Sequence, residues 1–307
     1  MTTCVLSGGV GAAKLLAALA SVSDPRDIIG LVNTGDDLDL HGLRICPDLD
    51  TITYTLAGLN NQETGWGLTG ETWRVMEELG RLGGESWFSL GDRDLATHLY
   101  RTQRLSEGAD LTTVTAELTV KLGCPITLLP ATHDAAPTRF LSADGQGLSF
   151  QEYFVKHHHD IAIASINLEA AAQCALTDAA RHALESSTHI VIAPSNPLIS
   201  IGPLLAIPDV TTILSAKRAS VVAVSPIVGG VAIKGPAERL MRELGFEASA
   251  LGVARMYRDL ASTMVIDTVD ASLAPAIEQL GMQVIVTNTI MDGGPVSAAL
   301  GQSILDA

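Results

Sequence analysis

Basic residues are scarce in this chain. Nineteen lysines and arginines stand against 34 aspartates and glutamates, giving a formal charge of −15 over 307 residues. Duplex nucleic acid and anionic membranes both recruit a basic footprint, so neither is an expected partner. Cysteine is scarce too: Cys4, Cys46, Cys124 and Cys174 are far apart and form no C-x-x-C pair. That spacing argues against a disulfide scaffold or a zinc site, and a reducing cytoplasm is the expected compartment. Met1 runs into a strand pattern without a charged leader region or cleavage site, so no secretory signal is expected. One uncharged run, 186–208, is long enough to span a bilayer. It is broken by Pro194, Asn196, Pro197, Pro203 and Pro208, and reads as strand, loop and short helix.

Apolar material is abundant, at 47% of residues with only 17% charged. Short Val/Ile/Leu/Ala runs suit strands buried on both faces of a parallel sheet. Thr3–Leu6 reads as a strand, followed by a glycine loop and an Ala/Leu-rich helix, Ala12–Ala20; Ile28–Asn33 is the second strand. Helical patterns at Leu49–Ala57, Glu71–Leu82, Arg93–Arg104 and Thr112–Leu122 precede a strand at Ile126–Leu129. Thr138–Phe140 and Leu148–Phe150 flank Asp144-Gly145 as a hairpin. In the second half, Ile161–Ile166, His189–Ala193, Val221–Val224, Met264–Ile266 and Val284–Val286 alternate with helical stretches. This alternation predicts an α/β, Rossmann-like, largely parallel sheet with helices on both faces. The pattern reads as one domain over 1–307, with 55–160 as an inserted, mostly helical cap carrying a β-hairpin.

Ligands of open α/β sheets bind at the carboxyl ends of the strands, where several polar or glycine-rich segments fall. Ser7-Gly8-Gly9-Val10-Gly11, followed by Lys14, can bring backbone amides and a helix N-terminus to a phosphate, or can be a tight turn. Its spacing matches neither the P-loop nor the full dinucleotide fingerprint. Asp36, Asp37 and Asp39, with Asp48 and Asp50 behind Pro47, can hold Mg²⁺ on a diphosphate or accept a proton from a hydroxyl. Asp48 and Asp50 equally suit a helix start. Trp87-Phe88-Ser89-Leu90-Gly91-Asp92 breaks the chain and opens a helix, with Asp92 as its expected N-cap. Ser195 and Asn196, frozen between Pro194 and Pro197, offer donors to a base or phosphate. His157–His159 reads as a solvated or partly packed loop.

Taken together, LSGGVGAAKL at 6–15, VNTGDD at 32–37, HGLRICPDLDTITYTLAG at 41–58, GWG at 65–67, WFSLGDRDLATHLYRTQRL at 87–105 and APSNPLISIGPLLAIP at 193–208 resemble the 2-phospho-L-lactate transferases of coenzyme F420 biosynthesis. The likeness runs nearly end to end, and the joint occurrence of PDLDT, LGDRD and PSNP makes it specific. It implies an Mg²⁺-assisted transfer of a phospho-acid from a guanosine diphosphate ester to the ribityl hydroxyl of the deazaflavin Fo, releasing GMP. It further implies that Asp50 and Ser89 touch Fo, with Asp50 orienting or deprotonating the hydroxyl. Asp37, Asp48 and Asp50 become the metal neighbourhood; Ser7, Gly8, Gly9, Gly11, Lys14, Ser195 and Asn196 hold the nucleotide. A homodimer is expected. Two departures are Ala12, where a glycine is common, and His133, where many members carry Asp. The donor stays open among phospholactyl, phosphoenolpyruvyl and 3-phosphoglyceryl esters. Rival readings are a nucleotide-sugar-binding regulator of the same superfamily and an NAD-dependent oxidoreductase.

Overall fold

Every residue of strand β1 (Thr3–Ser7) is buried, and its side chains divide between two packing layers. Cys4 and Leu6 enter one layer and Val5 the other, as a period of two requires. The computed structural model describes residues 2–61 and 66–307. Met1, and Gly65 of the GWG segment, lie outside the described residues.

From β1 the chain runs through α1 (Gly9–Val22) and β2 (Ile28–Val32) to a ribbon of β3 (Leu38–Leu40) and β4 (Leu43–Ile45). Helices α2 (Pro47–Leu56), α3 (Arg74–Arg81), α4 (Asp94–Ser106) and α5 (Leu111–Leu122) come next, and then β5 (Thr127–Pro130). Strands β6 (Arg139–Ser142), β7 (Gly147–Ser149) and β8 (Ile163–Asn167) form a small antiparallel sheet. The chain continues through β9 (His189–Ile192), β10 (Val221–Val224), the ribbon β11 (Ile227–Val228) and β12 (Val231–Ala232), β13 (Thr263–Asp267) and β14 (Gln283–Thr287). It ends in helix Gly294–Leu305.

Seven strands make one parallel sheet in the order β14-β13-β10-β9-β1-β2-β5. The chain builds outward from β1 through β2 to β5, then returns to the other side of β1 with β9. This is the predicted doubly wound arrangement, and its switch point lies between β1 and β9. Thr3 is opposite Ile28 on one side and His189 on the other, so the loops after β1, β2 and β9 open side by side. One layer sets Leu15, Leu16 and Leu19 of α1, Leu49 and Ile52 of α2, and Leu300 and Ile304 against Val5, Val191, Val222 and Val265. α1 thereby holds α2, which carries the acidic motif, close to the switch point.

The Ile161–Ile166 run, expected among the parallel strands, instead pairs antiparallel with β6 as β8. Ala164, Ser165 and Asn167 are exposed, so only one face is covered, and antiparallel sheets tolerate that where parallel ones do not. Within 55–160, β5 belongs to the main sheet. Among the described residues no helix is long and apolar enough to cross a membrane.

Candidate active site

Glycine sets the geometry of the loop after β1. Gly9 has φ +67, a region in which other side chains are strained. At Gly11 a Cβ would lie 2.3 Å from the carbonyl oxygen of Pro194, so only glycine lets the start of α1 approach the loop after β9. Ser195 closes that approach: its Oγ donates to the Gly8 carbonyl at 2.7 Å. Gly8, the residue before α1, offers no side-chain cap, and the first turn of the helix holds no acidic residue, so partners for its N-terminal amides must come from elsewhere in the fold or from a ligand.

Asp48 reaches this loop from the first turn of α2. Its Oδ1 accepts from the Gly9 amide at 2.6 Å, and its Oδ2 accepts from Asn33 Nδ2 at 2.9 Å. Asn33 Oδ1 in turn accepts from the Gly35 amide at 2.8 Å. The ends of β1 and β2 and the start of α2 are thus one hydrogen-bonded unit. Pro47 begins the helix without loss, since an N–H at that position has no intrahelical partner.

Burial raises the Asp48 carboxyl to about 6, against the lowering pull of the Asn33 and Gly9 bonds. Burial likewise lifts Asp37 to about 7, opposed by Arg44, whose Nη2 is 3.1 Å from Oδ2, and by the Cys46 thiol at 3.2 Å. Asp36 is pushed well above the carboxylate range by burial and by the charges of Asp48 and Asp37. The Oδ1 atoms of Asp36 and Asp37 are buried without a hydrogen-bond partner. Buried, unsatisfied carboxylate oxygens are costly unless a proton or cation meets them. Oxygen ligands suit a hard divalent ion, but among the described residues the three ligand atoms that lie within 4.8 Å of one another belong to Asp50, Asp94 and His98.

Asp50 faces elsewhere, because residues two apart on a helix do not share a side. Asp48 turns to the glycine loop and Asp50 to α4, where Arg101 grips both carboxylate oxygens, Nη1 to Oδ2 at 3.1 Å and Nη2 to Oδ1. Asp50, Asp94 and His98 each place a ligand atom within 4.8 Å of the others, a group that can hold a metal ion. There the guanidinium takes one lone-pair site on each oxygen of Asp50. The structure therefore does not bring Asp48 and Asp50 to a common point.

The other expected residues scatter around this centre. Ser7 is buried, and its Oγ donates to the Val5 carbonyl at 2.9 Å. Lys14 Nζ donates to the Met291 carbonyl at 2.8 Å, tying α1 to the loop before the last helix. Asn196 Oδ1 accepts from the Leu198 amide at 3.0 Å and shapes its own turn. Ser89 is exposed in the loop before buried Leu90. His133 is exposed, with Nε2 2.7 Å from Thr112 Oγ1, and lines a cleft of about 470 Å³ with Arg44 and Leu111.

Asp92 does not cap the helix it precedes. Its carboxylate accepts from the Val75 and Arg74 amides at 3.1 and 3.3 Å, at the start of α3. The cap of α4 comes instead from Glu71, which accepts from the Arg93 and Asp94 amides at 2.8 and 2.9 Å. A Cβ on Gly91 would meet the Glu71 carboxylate at 2.2 Å; the exchange of caps across the loop needs that glycine.

Sequence reasoning missed Asn33, Arg44 and Arg101. Asn33 and Arg44 carry no local signal, since their partners come from other loops. Arg101 had one: Asp94, Thr97, His98 and Arg101 recur at helical spacing on a single face of α4.

Fold and crevice define a doubly wound α/β protein with an acidic site at the switch point. The family model 2-phospho-L-lactate transferase CofD matches residues 3–290, and the chain belongs to that transferase family. It is 39% identical over 311 residues to the phosphoenolpyruvate transferase of Streptomyces griseus, covering 100% of this chain and 98% of that one. It is 35% identical over 305 residues to the 2-phospho-L-lactate transferase of Methanocaldococcus jannaschii, covering 98% and 96%. Among solved structures, a UPF0052-family protein from Bacillus halodurans matches with TM-score 0.65 over 99% of this chain and 98% of that one. At 16% identity that likeness concerns the fold alone.

Proposed function

We propose that this chain moves a phospho-acid group from its guanosine diphosphate ester to the terminal ribityl hydroxyl of Fo, giving coenzyme F420-0 or a variant of it plus GMP. The observation that carries the reading is the unit formed by Gly9, Asp48 and Asn33 beside two unsatisfied buried carboxylates. A carboxylate seated on the helix N-terminus repels a bare diphosphate. The same arrangement accommodates a diphosphate that arrives with a cation, and this favours a metal-assisted transferase over an NAD-binding oxidoreductase. Asp36 and Asp37, whose Oδ1 atoms have no partner, would supply carboxylate oxygens to Mg²⁺, which when bound offsets the charge of the phosphates.

The chain's own residues then mainly position the reactants. The amides of α1 and the Ser195 loop hold the guanosine diphosphate portion, and Asp50 accepts the hydrogen bond of the acceptor hydroxyl. The hydroxyl oxygen bonds to the phosphorus bearing the acid. The bond from that phosphorus to the bridging oxygen breaks, GMP keeps the electron pair, and the hydroxyl proton leaves to water. The helices α3 and α4 serve as the cap on the acceptor side, with Ser89 in the loop between them. A cytoplasmic homodimer acting on small molecules is the setting we assign.

Six relatives of 35–39% identity are named phosphoenolpyruvate transferases, so the phosphoenolpyruvyl ester is the donor we place first. The test is mass spectrometry of reactions containing Fo, Mg²⁺ and, in turn, the phosphoenolpyruvyl, phospholactyl and 3-phosphoglyceryl esters of guanosine diphosphate. Product with the first ester, with matching GMP release, supports the proposal. Tight UDP-sugar binding without GMP release would identify a regulator instead, and NADH binding would identify an oxidoreductase.

A further inference from the structure

Arg101 and His98 are among the most buried polar side chains of the protein, at 2% and 1% exposure. Removing a guanidinium from water is expensive, and a well-packed apolar pair often serves stability as well as a buried ion pair. The surroundings of Arg101 form a close polar cluster. Arg101 is bidentate on Asp50, and its Nη1 also lies 3.3 Å from His98 Nδ1. A guanidinium has no lone pair to offer, so Nδ1 must be the acceptor and the imidazole proton must sit on Nε2. Nε2 lies 3.2 Å from Asp94 Oδ2, at ion-pair distance without hydrogen-bond geometry, and Asp94 Oδ1 accepts from the Tyr54 hydroxyl at 2.6 Å. Tyr54 stands four residues after Asp50 on α2, so the cluster begins and ends on one helix face.

We propose that Arg101 and His98 are positioning residues for Asp50. Arg101 fixes the plane of the Asp50 carboxylate, and His98, packed beside Asp94, accepts from Arg101 and fixes its plane. A bidentate arginine uses two of the roughly four lone-pair sites of a carboxylate, leaving the others to receive a hydroxyl from the crevice. The carboxylate is thereby held in one orientation by two donors, suited to orient an acceptor. The metal-capable group of Asp50, Asp94 and His98 is thus organised by an internal cation. The proposal rests on the reading that Asp50 receives the acceptor hydroxyl.

The test compares Arg101→Lys, His98→Gln and Asp50→Asn, with the double variant Arg101→Lys/Asp50→Asn. Lysine keeps the charge but loses the planar fork, whereas a glutamine carbonyl can still accept from Arg101. If Arg101 acts through Asp50, Arg101→Lys lowers kcat about 100-fold or more, leaves the KM for Fo within about 3-fold, and adds little to Asp50→Asn in the double variant. His98→Gln loses about 10-fold or less, rescued by its carbonyl. A merely structural ion pair would instead lower melting temperature with kcat per folded molecule unchanged, or give additive losses; either result overturns the proposal. If Arg101→Lys does not fold, His98→Ala against His98→Gln decides it: equal kcat in the two overturns the proposal, and a deficit confined to alanine supports it. A crystal structure of Arg101→Lys separates this idea from the transferase reading. A displaced Asp50 carboxylate supports the positioning role even if no donor ester is turned over, and an unmoved one refutes it.

Discussion

Asn33 and Asp48, fifteen residues apart in the chain, share a buried hydrogen bond of 2.9 Å. It joins the end of β2 to the start of α2, and through the Gly9 amide it reaches the end of β1.

Asp48→Asn tests that link without changing shape. Asn33 has its carbonyl committed to Gly35, so both Asn33 and Gly9 present donors to residue 48. An asparagine can answer only one of them and turns its own NH₂ on the other. The expected cost is about 1–3 kcal/mol of stability, read by urea unfolding, together with a large loss of transfer activity. An unchanged midpoint would remove the argument for a joined unit.

Gly11→Ala should run against the usual trend. In a helix, alanine is ordinarily favoured over glycine by about 1 kcal/mol. Here the new Cβ would lie 2.3 Å from a backbone oxygen, and such overpacking costs about 1–3 kcal/mol. Gly147→Ala is the control, since a Cβ there meets nothing within 4 Å. Thermal melts should show the first variant lowered and the second near the parent; equal behaviour would contradict the close approach of α1 to Pro194.

The caps exchanged between α3 and α4 make a third prediction. Glu71→Ala strips the acceptor from two α4 amides, and Asp92→Ala strips it from two α3 amides. Each should lower stability by about 0.5–2 kcal/mol. Hydrogen exchange identifies the helix: Glu71→Ala should deprotect the first turn of α4, and Asp92→Ala that of α3. The reverse pattern would restore Asp92 as the α4 cap.

Asp267 supplies a pH dependence away from the proposed active site. Burial alone would raise its carboxyl, but the Thr289 and Val269 amides and the Thr289 and Thr268 hydroxyls together hold it below the usual range. A depressed folded-state value means that stability is present above the unfolded carboxylate range near pH 4 and is lost as pH falls through the folded value. Asp267→Asn should therefore cost about 1–3 kcal/mol at pH 7 and progressively less toward pH 3. A constant difference between the two melting curves across that interval would disprove the link.

Much of the fold could be read from the residues because it arises from local pattern. The apolar runs of β1, β9 and β10 are continuous since both faces of each strand are covered, and Pro47 with Asp48 marks the start of α2. The β8 assignment failed because Ile161–Ile166 is apolar enough to resemble a central strand, while pairing partners depend on distant segments. Asp92 failed similarly. An aspartate after glycine looks like a cap for the next helix, and nothing local shows that α3 lies within reach.

For this chain, composition and spacing alone determined the doubly wound sheet, the strand ends where polar loops gather, and the motifs that mark its family. Such features arise from interactions within a few residues or from periodic burial, so the linear order contains them. Tertiary structure decided the roles. Neighbours on one helix, Asp48 and Asp50, were sent to opposite partners, Gly9 with Asn33 and Arg101 with His98. Gly11 was made indispensable by a carbonyl 183 residues further on, at Pro194. Hydrogen-bond directions and the burial of charge depend on which loops meet at the switch point, and only the folded chain specifies that meeting.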